Sequence, residues 1–367
     1  MTWTVDECDG CGATFDTENE IHNEDGTTRP TWKSLQCQTT VPSVLAERIN
    51  HQHQLPRVTP GVFANAARST SMKVLVTGAT GFVGSSLVPA LQAAGHDVVA
   101  MTRDASSYDS PSGVTVTEGD LLDPATLDFS DGFDAAYYLV HSLGTGETFA
   151  ERDRTAAENF RAAAESAGIE RVIYLGGLGE AGDDLSEHLR SRQEVESILT
   201  EGAYDVTTLR AAIIVGNGSA SFRMVRQLVE RLPVMIAPRW LYTECQPIAI
   251  SDVITYLVGV LDHPETAGKT YEIGGPEILT YRDMLERTAA ILGKRRYIIP
   301  VPVLTPRLSS YWVEFVTDVP KAISRPLILG LKNPVVVTDD SVADVISVEK
   351  TAFDDAVARA FGGDAGA

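Results

Sequence analysis

Residues 73–84, Lys-Val-Leu-Val-Thr-Gly-Ala-Thr-Gly-Phe-Val-Gly, constrain the fold of this chain more than any other stretch. The apolar run Val74 to Val76 reads as a buried parallel strand, and it breaks at Thr77-Gly78. An apolar-periodic stretch then runs through Phe82, Val83, Leu87, Val88 and Leu91 to Gly95, the pattern of a helix closed by a glycine. A glycine-rich turn between a buried strand and a helix is the phosphate-binding device of dinucleotide folds. Gly78 permits the tight turn, Gly81 lets backbone approach a diphosphate, and Gly84 lets the helix lie close to the strand. The free N–H groups and partial positive charge of the helix N-terminus face the phosphates. Thr80, Phe82 and Val83 complete the turn residues expected against a cofactor.

The spacing is Gly-x-x-Gly-x-x-Gly. With Thr77 ahead of it, the segment resembles the cofactor turn of the short-chain dehydrogenase/reductase superfamily, in its extended and atypical branches. The following strands and helices alternate. Strands are expected at His96–Thr102, Val114–Glu118, Phe133–Val140, Arg171–Leu175 and Asp205–Arg210, with a long alanine-rich helix from Phe149 to Ala167. Six strands alternating with helices specify an α/β fold, a Rossmann-like doubly wound parallel sheet. A smaller C-terminal α/β lobe on the substrate side completes it.

Several strand ends carry candidate ligand contacts. At the tip of the second strand stands Thr102-Arg103-Asp104. An arginine there accommodates a 2′-phosphate and an acid accepts a free 2′-hydroxyl, so Arg103 favours NADP while Asp104 keeps NAD open. In the resembling family an Asp-Leu pair after the third strand lies beside the adenine, which assigns Asp120 to its amino group and Leu121 to its ring. Ligands sit at the carboxyl ends of parallel strands. Leu139, Val140 and His141 are therefore candidates to line the nicotinamide ribose, with His141 equally readable as a loop histidine. Asn159 matches a helix asparagine that braces the active site in the family.

The catalytic pattern departs from the family. Dehydrogenases of this superfamily use a Tyr and a Lys four residues later on one helix face, the cation lowering the phenol pKa. Extended members read Tyr-x-x-Ser-Lys-x-x-x-Glu, and a Ser or Thr ends the fifth strand. Here the stretch is His188-Leu-Arg-Ser191-Arg192-Gln-Glu-Val-Glu196, and Gly176-Gly177 follow the strand. Ser191 and Glu196 fall in register; His188 replaces the Tyr and Arg192 the Lys. His188 could exchange protons, its reference pKa being near neutrality, and Arg192 could hold the cofactor ribose. The competing reading is a site that binds cofactor and has lost this chemistry.

Four segments extend the resemblance over residues 73 to about 335: Tyr137-Tyr-Leu-Val-His-Ser142, Tyr174-Leu-Gly-Gly-Leu-Gly179, Leu209-Arg-Ala-Ala-Ile-Ile-Val-Gly216 and Gln246-Pro-Ile-Ala-Ile-Ser-Asp-Val253. They resemble an atypical branch. It includes the NmrA-like nucleotide sensors, bacterial NAD(P)H-binding proteins grouped loosely with nucleoside-diphosphate-sugar epimerases, and the nucleotide-binding accessory subunit of respiratory complex I. The resemblance implies nucleotide binding and not one reaction. It leaves an oxidoreductase or epimerase-like enzyme beside a non-catalytic redox sensor or accessory subunit.

The rest of the chain sets bounds. Residues 1–71 are polar and lack a sustained period. Cys8-Asp-Gly-Cys11 with Cys37, His22, His51 or His53 invites a zinc reading, but a second Cys-x-x-Cys is missing. A disordered extension, or a start called too early with Met72 as the true beginning, fits better, so no metal is assigned. The expected organisation is an extension over 1–71, a nucleotide domain over 72–215, a substrate-side lobe over 216–362 and a disordered tail over 363–367. In the lobe, helices are expected at Ala220–Leu232 and from Thr280 to Gly293, a returning strand at Gln246-Pro247-Ile248, a helix capped by Ser251 or Asp252, and a strand at Lys269–Ile273. An apolar stripe spans 300–331 (Val301, Val303, Leu304, Leu308, Tyr311, Trp312, Phe315, Val316, then Ile323, Leu327, Ile328, Leu329 and Leu331). It reads as core, or as an apolar wall for a hydrophobic substrate, or as a docking face for a protein partner or second copy.

The formal net charge of −20 should repel nucleic acid and anionic membranes. Acid spread along the whole chain with few lysines suggests a salty, halophilic cytoplasm. Four cysteines fit a reducing cytoplasm better than a disulfide framework. No apolar run is long enough for a transmembrane helix, and the N-terminus lacks a signal core.

Overall fold

Alternation of side chains along each strand builds this molecule, because successive residues feed two different apolar layers. In the computed structural model, the described residues are 71–142, 149–179, 186–237, 239–301, 317–320, 323–324, 328, 330–331 and 333–362, with the backbone of 20–22 and 28–30. The chain divides into two units, Met1–Arg68 and Ser69–Ala367. In the first, Glu20–His22 pairs antiparallel with Thr28–Pro30. Cys8, Cys11, Cys37, His51 and His53 lie outside the described residues.

The second unit carries a parallel sheet of seven strands. They are β1 (Lys73–Thr77), β2 (Asp97–Thr102), β3 (Thr115–Glu118), β4 (Ala135–Tyr138), β5 (Arg171–Gly177), β6 (Asp205–Ala211) and β7 (Thr270–Ile273). Their spatial order is β3-β2-β1-β4-β5-β6-β7. The order reverses between β1 and β4, which opens a crevice at the carboxyl ends of those strands. The doubly wound sheet expected from the sequence is thus present. One strand is added: Thr270–Ile273, expected within the C-terminal lobe, pairs with β6 and extends the main sheet.

Helices cover both faces. They are α1 (Phe82–Ala93), α2 (Phe149–Ser166), α3 (Glu187–Thr200), α4 (Ala220–Arg231), α5 (Ile250–Asp262), α6 (Tyr281–Ile291) and α7 (Phe353–Gly362). Val74, Val76, Val98, Ala100, Tyr137 and Ile173 point to the face covered by α1 and α5. Leu75, Val99, Met101, Ala136, Tyr138, Val172 and Tyr174 point to the face covered by α2 and α3. Ala156, Ala157 and Ala164 keep the contact surface of α2 shallow, so the helix lies close to the sheet. Tyr137 fixes α5 by donating its hydroxyl to the Leu257 carbonyl at 2.6 Å. The buried Arg171 guanidinium donates to the Val260 carbonyl at 2.5 Å and the His263 carbonyl at 3.2 Å, capping the end of the same helix.

A second apolar core, built from α4, α6 and α7, forms the C-terminal lobe. Thr280 caps α6 with a reciprocal Asp283 contact, as the sequence pattern anticipates. The cap expected at Ser251 or Asp252 is not made. Ile248–Ala249 pairs with Ile214–Val215, and α5 leaves that pair directly, with Ala249 as its first boundary residue. Ser251 and Asp252 therefore fall inside the first turn, where the Asp252 carboxylate accepts from the Thr351 N–H at 2.7 Å and its hydroxyl at 2.8 Å. Of the 300–331 stripe, Ile323, Ile328 and Leu331 pack on the lobe core; Val303, Leu304, Leu308, Tyr311, Trp312, Phe315, Val316, Leu327 and Leu329 lie outside the described residues. Among the described residues no helix is long and apolar enough to cross a membrane.

Candidate nucleotide site and adjoining cavity

The turn after β1 has the geometry that its glycines require. Gly78 adopts φ +72°, and a Cβ there would come within 2.9 Å of the Leu139 backbone. A Cβ on Gly84 would stand 2.2 Å from the Gly78 carbonyl oxygen, so only glycine lets α1 pack this tightly. Gly81 is different: its φ is −77° and a Cβ would approach only the Gly78 oxygen, at 3.2 Å. Its position at the N-terminal boundary of α1 leaves the bare backbone facing the crevice. Side-chain capping and acidic first-turn residues are both absent from α1. The N–H groups of Phe82, Val83 and Gly84 begin the helix and have no carbonyl four residues back within it. The Thr77 hydroxyl donates to the Tyr137 carbonyl at 2.9 Å, locking β1 to β4 below the turn.

A cavity of about 550 Å³ opens from this turn toward the C-terminal lobe. Gly78, Gly81, Phe82, Val83, Gly84, Leu139, His141, His188 and Arg192 all line it. The sequence-predicted turn, strand-end and helix residues therefore meet in one place. Leu175, Leu178, Ile213, Met224, Leu228 and Leu331 supply apolar wall.

Other predicted contacts fall beyond this cavity. Arg103 is exposed, and among the described residues no side chain holds it. Asp104 is committed to its own turn, its carboxylate accepting from the Ser106 N–H at 3.0 Å and hydroxyl at 2.6 Å. Glu118 is likewise occupied, accepting from the Ala105 N–H at 2.9 Å. Asp120 accepts from the Leu122 N–H at 3.0 Å through one oxygen. Leu121 is 4% exposed in the core beneath the turn, so its side chain offers almost no surface to an aromatic ring. Its carbonyl accepts from Asn159 at 2.7 Å, which ties α2 to the chain after β3. Val140 is half-buried beside the α2 layer.

The catalytic stretch holds a different device from the Tyr-Lys pair. Arg192 donates to Asp153 at 2.7 Å, the two side chains being 9% and 3% exposed. The same carboxylate accepts from the Ser191 hydroxyl at 3.0 Å and from the Ser142 N–H at 2.5 Å. One buried acid thus ties α2, α3 and the chain leaving β4. Burial pushes the Asp153 carboxyl up, but Arg192 and the hydrogen bonds outweigh it and hold the carboxyl below its usual range. The Arg192 charge expected to hold a ribose is instead balanced within the protein. Glu196 pairs with Arg210 of β6 through two hydrogen bonds of 2.8 and 3.0 Å.

His188 borders the cavity, half-buried. Burial, the Arg192 cation and His141 bring its pKa down to about 3. Burial and Arg192 likewise lower His141 to about 4, although water at the exposed edge of that ring opposes the shift. Near neutral pH both imidazoles are uncharged. The expectation that His188 exchanges protons near neutrality therefore loses its basis, and what remains is a neutral ring able to donate one N–H. After β5, a side chain on Gly177 would press Leu189 at 3.2 Å, so α3 fills the space that a Ser or Thr would need.

Asp153 was not among the sequence-predicted residues. A signal for it exists: Phe149, Asp153, Ala156, Ala157, Phe160 and Ala164 form the buried stripe of α2, with one carboxylate among apolar residues. A charge on a buried stripe demands a buried partner.

Residues 78–229 match the family model described as NAD(P)H-binding. The chain is an NAD(P)H-binding, Rossmann-fold protein related to the complex I accessory-subunit and nucleoside-diphosphate-sugar epimerase branches of the extended short-chain dehydrogenase/reductase superfamily. One relative is the mitochondrial NADH dehydrogenase [ubiquinone] 1 alpha subcomplex subunit 9 of Arabidopsis thaliana, 27% identical over 73% of this chain and 70% of its own length. Another is the (4-alkanoyl-5-oxo-2,5-dihydrofuran-3-yl)methyl phosphate reductase of Streptomyces griseus, 27% identical over 60% of this chain and 74% of its own. Among solved structures, the Bordetella bronchiseptica enzyme WbmG, in complex with NAD and UDP, superposes with a TM-score of 0.59 at 16% identity. That superposition covers 80% of this chain and 94% of that one, and it speaks for the fold.

Proposed function

We propose that this protein binds NADPH along the carboxyl edge of the sheet and reduces an apolar carbonyl-type substrate held in the adjoining cavity. The observation that carries the reading is the bare glycine turn at an α1 N-terminus free of acid and of side-chain caps, opening into an apolar cavity. A cradle that any Cβ at Gly78 or Gly84 would fill fits a diphosphate. Preference for the 2′-phosphate rests on Arg103, which no side chain among the described residues holds, while Asp104 and Glu118 are occupied by their own turn.

A bound reduced nicotinamide supplies a hydride. Leu139, Gly176 and Gly177 offer backbone and apolar surface against its ring. His188, as a neutral imidazole, donates a hydrogen bond to the substrate oxygen while the hydride adds to the carbonyl carbon and the C=O π pair moves onto that oxygen; the alkoxide takes its proton from solvent as the product leaves. The apolar wall excludes water from that contact. A second reading is nucleotide binding without turnover, as in a sensor or accessory subunit. It is favoured by the internal balancing of Arg192 by Asp153, which removes the free cation that the family chemistry uses.

Titration with NADPH and NADH, followed by loss of reduced-nicotinamide absorbance on adding hydrophobic ketones and enones, tests both readings. Turnover that falls sharply in His188→Ala with NADPH affinity unchanged supports the reductase. Tight binding with no turnover for any acceptor supports the sensor and overturns the reductase.

A further inference from the structure

Away from the cavity, the C-terminal lobe carries a two-stranded parallel ribbon, Val234–Ala237 paired with Tyr297–Pro300. Its register sets Val234 opposite Tyr297 and Ile236 opposite Ile299. Alternation puts these four side chains on one face. That face is open: they are 47%, 65%, 51% and 50% exposed, respectively. The other face is spent on the lobe core, where Met235 is 2% exposed and Ile298 packs beside it. Three aliphatic side chains and a tyrosine make an apolar surface on the order of 400 Å², the size of the largest patch on a typical monomer, which is often functional.

Lys294, Arg295 and Arg296 precede the ribbon directly, and none of them meets a carboxylate. Lys294 reaches the Glu230 carbonyl at 3.5 Å, and Arg296 donates to the Val229 carbonyl at 2.5 Å and the Glu230 carbonyl at 3.3 Å. Arg295 is exposed. Nearby acids are already engaged, Glu230 by Arg226 and Glu286 by Arg282. In a chain of net charge −20, three adjacent cations with no carboxylate partner among the described residues, two of them seated on the last carbonyls of α4, form a local exception at the end of an apolar face. Beyond a Debye length of about 10 Å the remaining acid is screened, so the local charge governs contact.

We infer that this ribbon face docks on an anionic lipid surface. Aliphatic side chains and a tyrosine enter the headgroup boundary, and the cations meet lipid phosphates. A second copy of the chain docking through the same face would set its own three cations against these, a like-charge contact. The expected repulsion of anionic membranes rests on the charge of the whole chain, and this patch departs from that average.

Co-sedimentation of the full chain with phosphatidylcholine vesicles, with and without phosphatidylglycerol, tests the inference. Wild type should pellet with the phosphatidylglycerol vesicles only. Arg295→Gln should weaken binding about fivefold, the loss of one cation near a charged bilayer. Ile236→Ser/Ile299→Ser should abolish it. All three positions are exposed, and unchanged thermal unfolding verifies that the variants fold. Failure to pellet, equal pelleting with neutral vesicles, or equal pelleting of the variants overturns the inference. So does a dimer in solution that Ile236→Ser/Ile299→Ser dissociates while no vesicle binds.

Discussion

Replacing Asp153 by Asn probes the buried device beneath the cavity. The substitution keeps size and shape, and its amide oxygen can still accept from the Ser142 N–H, while its NH2 stands where the second carboxylate oxygen accepted from Ser191 and Arg192. What it removes is the charge opposite Arg192, 2.7 Å away, with both side chains less than a tenth exposed. Breaking a buried ion pair by deleting one partner costs about 3–5 kcal/mol, because the other charge is left uncompensated. One hydrogen bond, from the Ser142 N–H, survives, so the expected loss is at least the lower figure. With a urea m-value of about 3 kcal/mol/M, the midpoint falls by about 1 M. Arg192→Met alone leaves Asp153 with two donors and costs less. The double variant Asp153→Asn/Arg192→Met removes the orphaned charge and should recover about 2 kcal/mol relative to the sum of the single losses. Urea unfolding of all four proteins at neutral pH reads these terms. A loss below about 1 kcal/mol for Asp153→Asn, or strict additivity in the double variant, would refute the claim that this pair is desolvated and coupled.

Further outcomes follow from the same geometry. Gly84→Ala places a methyl 2.2 Å from the Gly78 oxygen, so α1 must shift; thermal unfolding should report a loss of about 1–3 kcal/mol, and NADPH affinity should fall with it. Arg103→Ala should cut the preference for NADPH over NADH by about 10–100-fold, the worth of charge-assisted phosphate contacts, with NADH affinity unchanged in a fluorescence titration. His188 and His141 titrate at about 3 and about 4 in the folded chain, below the 6.5 of the unfolded one. Buried His96, with neither ring nitrogen partnered, is shifted in the same direction. The unfolded chain therefore takes up protons that the folded chain refuses. Stability is full above pH 6.5 and declines as the pH falls toward 3, and a His188→Gln/His96→Gln variant should flatten that slope in urea unfolding followed between about pH 7 and about pH 5.

Much of the fold was legible because its signals are local. Val74-Leu75-Val76 and Ala135–Tyr138 are short apolar runs too brief for helices, and they are central strands buried on both faces. The glycine turn was legible because Gly78 and Gly84 answer close backbone approaches that no other residue tolerates. The seventh strand was not placed in the sheet, since Thr270–Ile273 pairs with β6 across some sixty residues and nothing local announces that partner. The start of α5 was misread because Ser251 and Asp252 look like caps, while a tertiary pairing at Ile248–Ala249 sets the boundary earlier. Leu121 was assigned to a ligand on pattern, but its neighbours draw the side chain into the core. The roles of His188 and Arg192 depended on Asp153, which stands 35 and 39 residues away in sequence and meets Arg192 only when α2 and α3 pack together.

The account turns on backbone N–H groups at the start of α1 receiving a diphosphate, and Gly81→Asp addresses that directly. Gly81 sits at the helix boundary with φ −77°, a conformation open to any residue, and aspartate is among the best caps for such a position. The variant should therefore unfold at the same temperature as wild type or higher. Its carboxylate, however, occupies the place of the phosphates with like charge. Calorimetric titration with NADPH should give saturable binding to wild type and none to Gly81→Asp. Equal binding by both proteins, or no binding by wild type, would contradict the account.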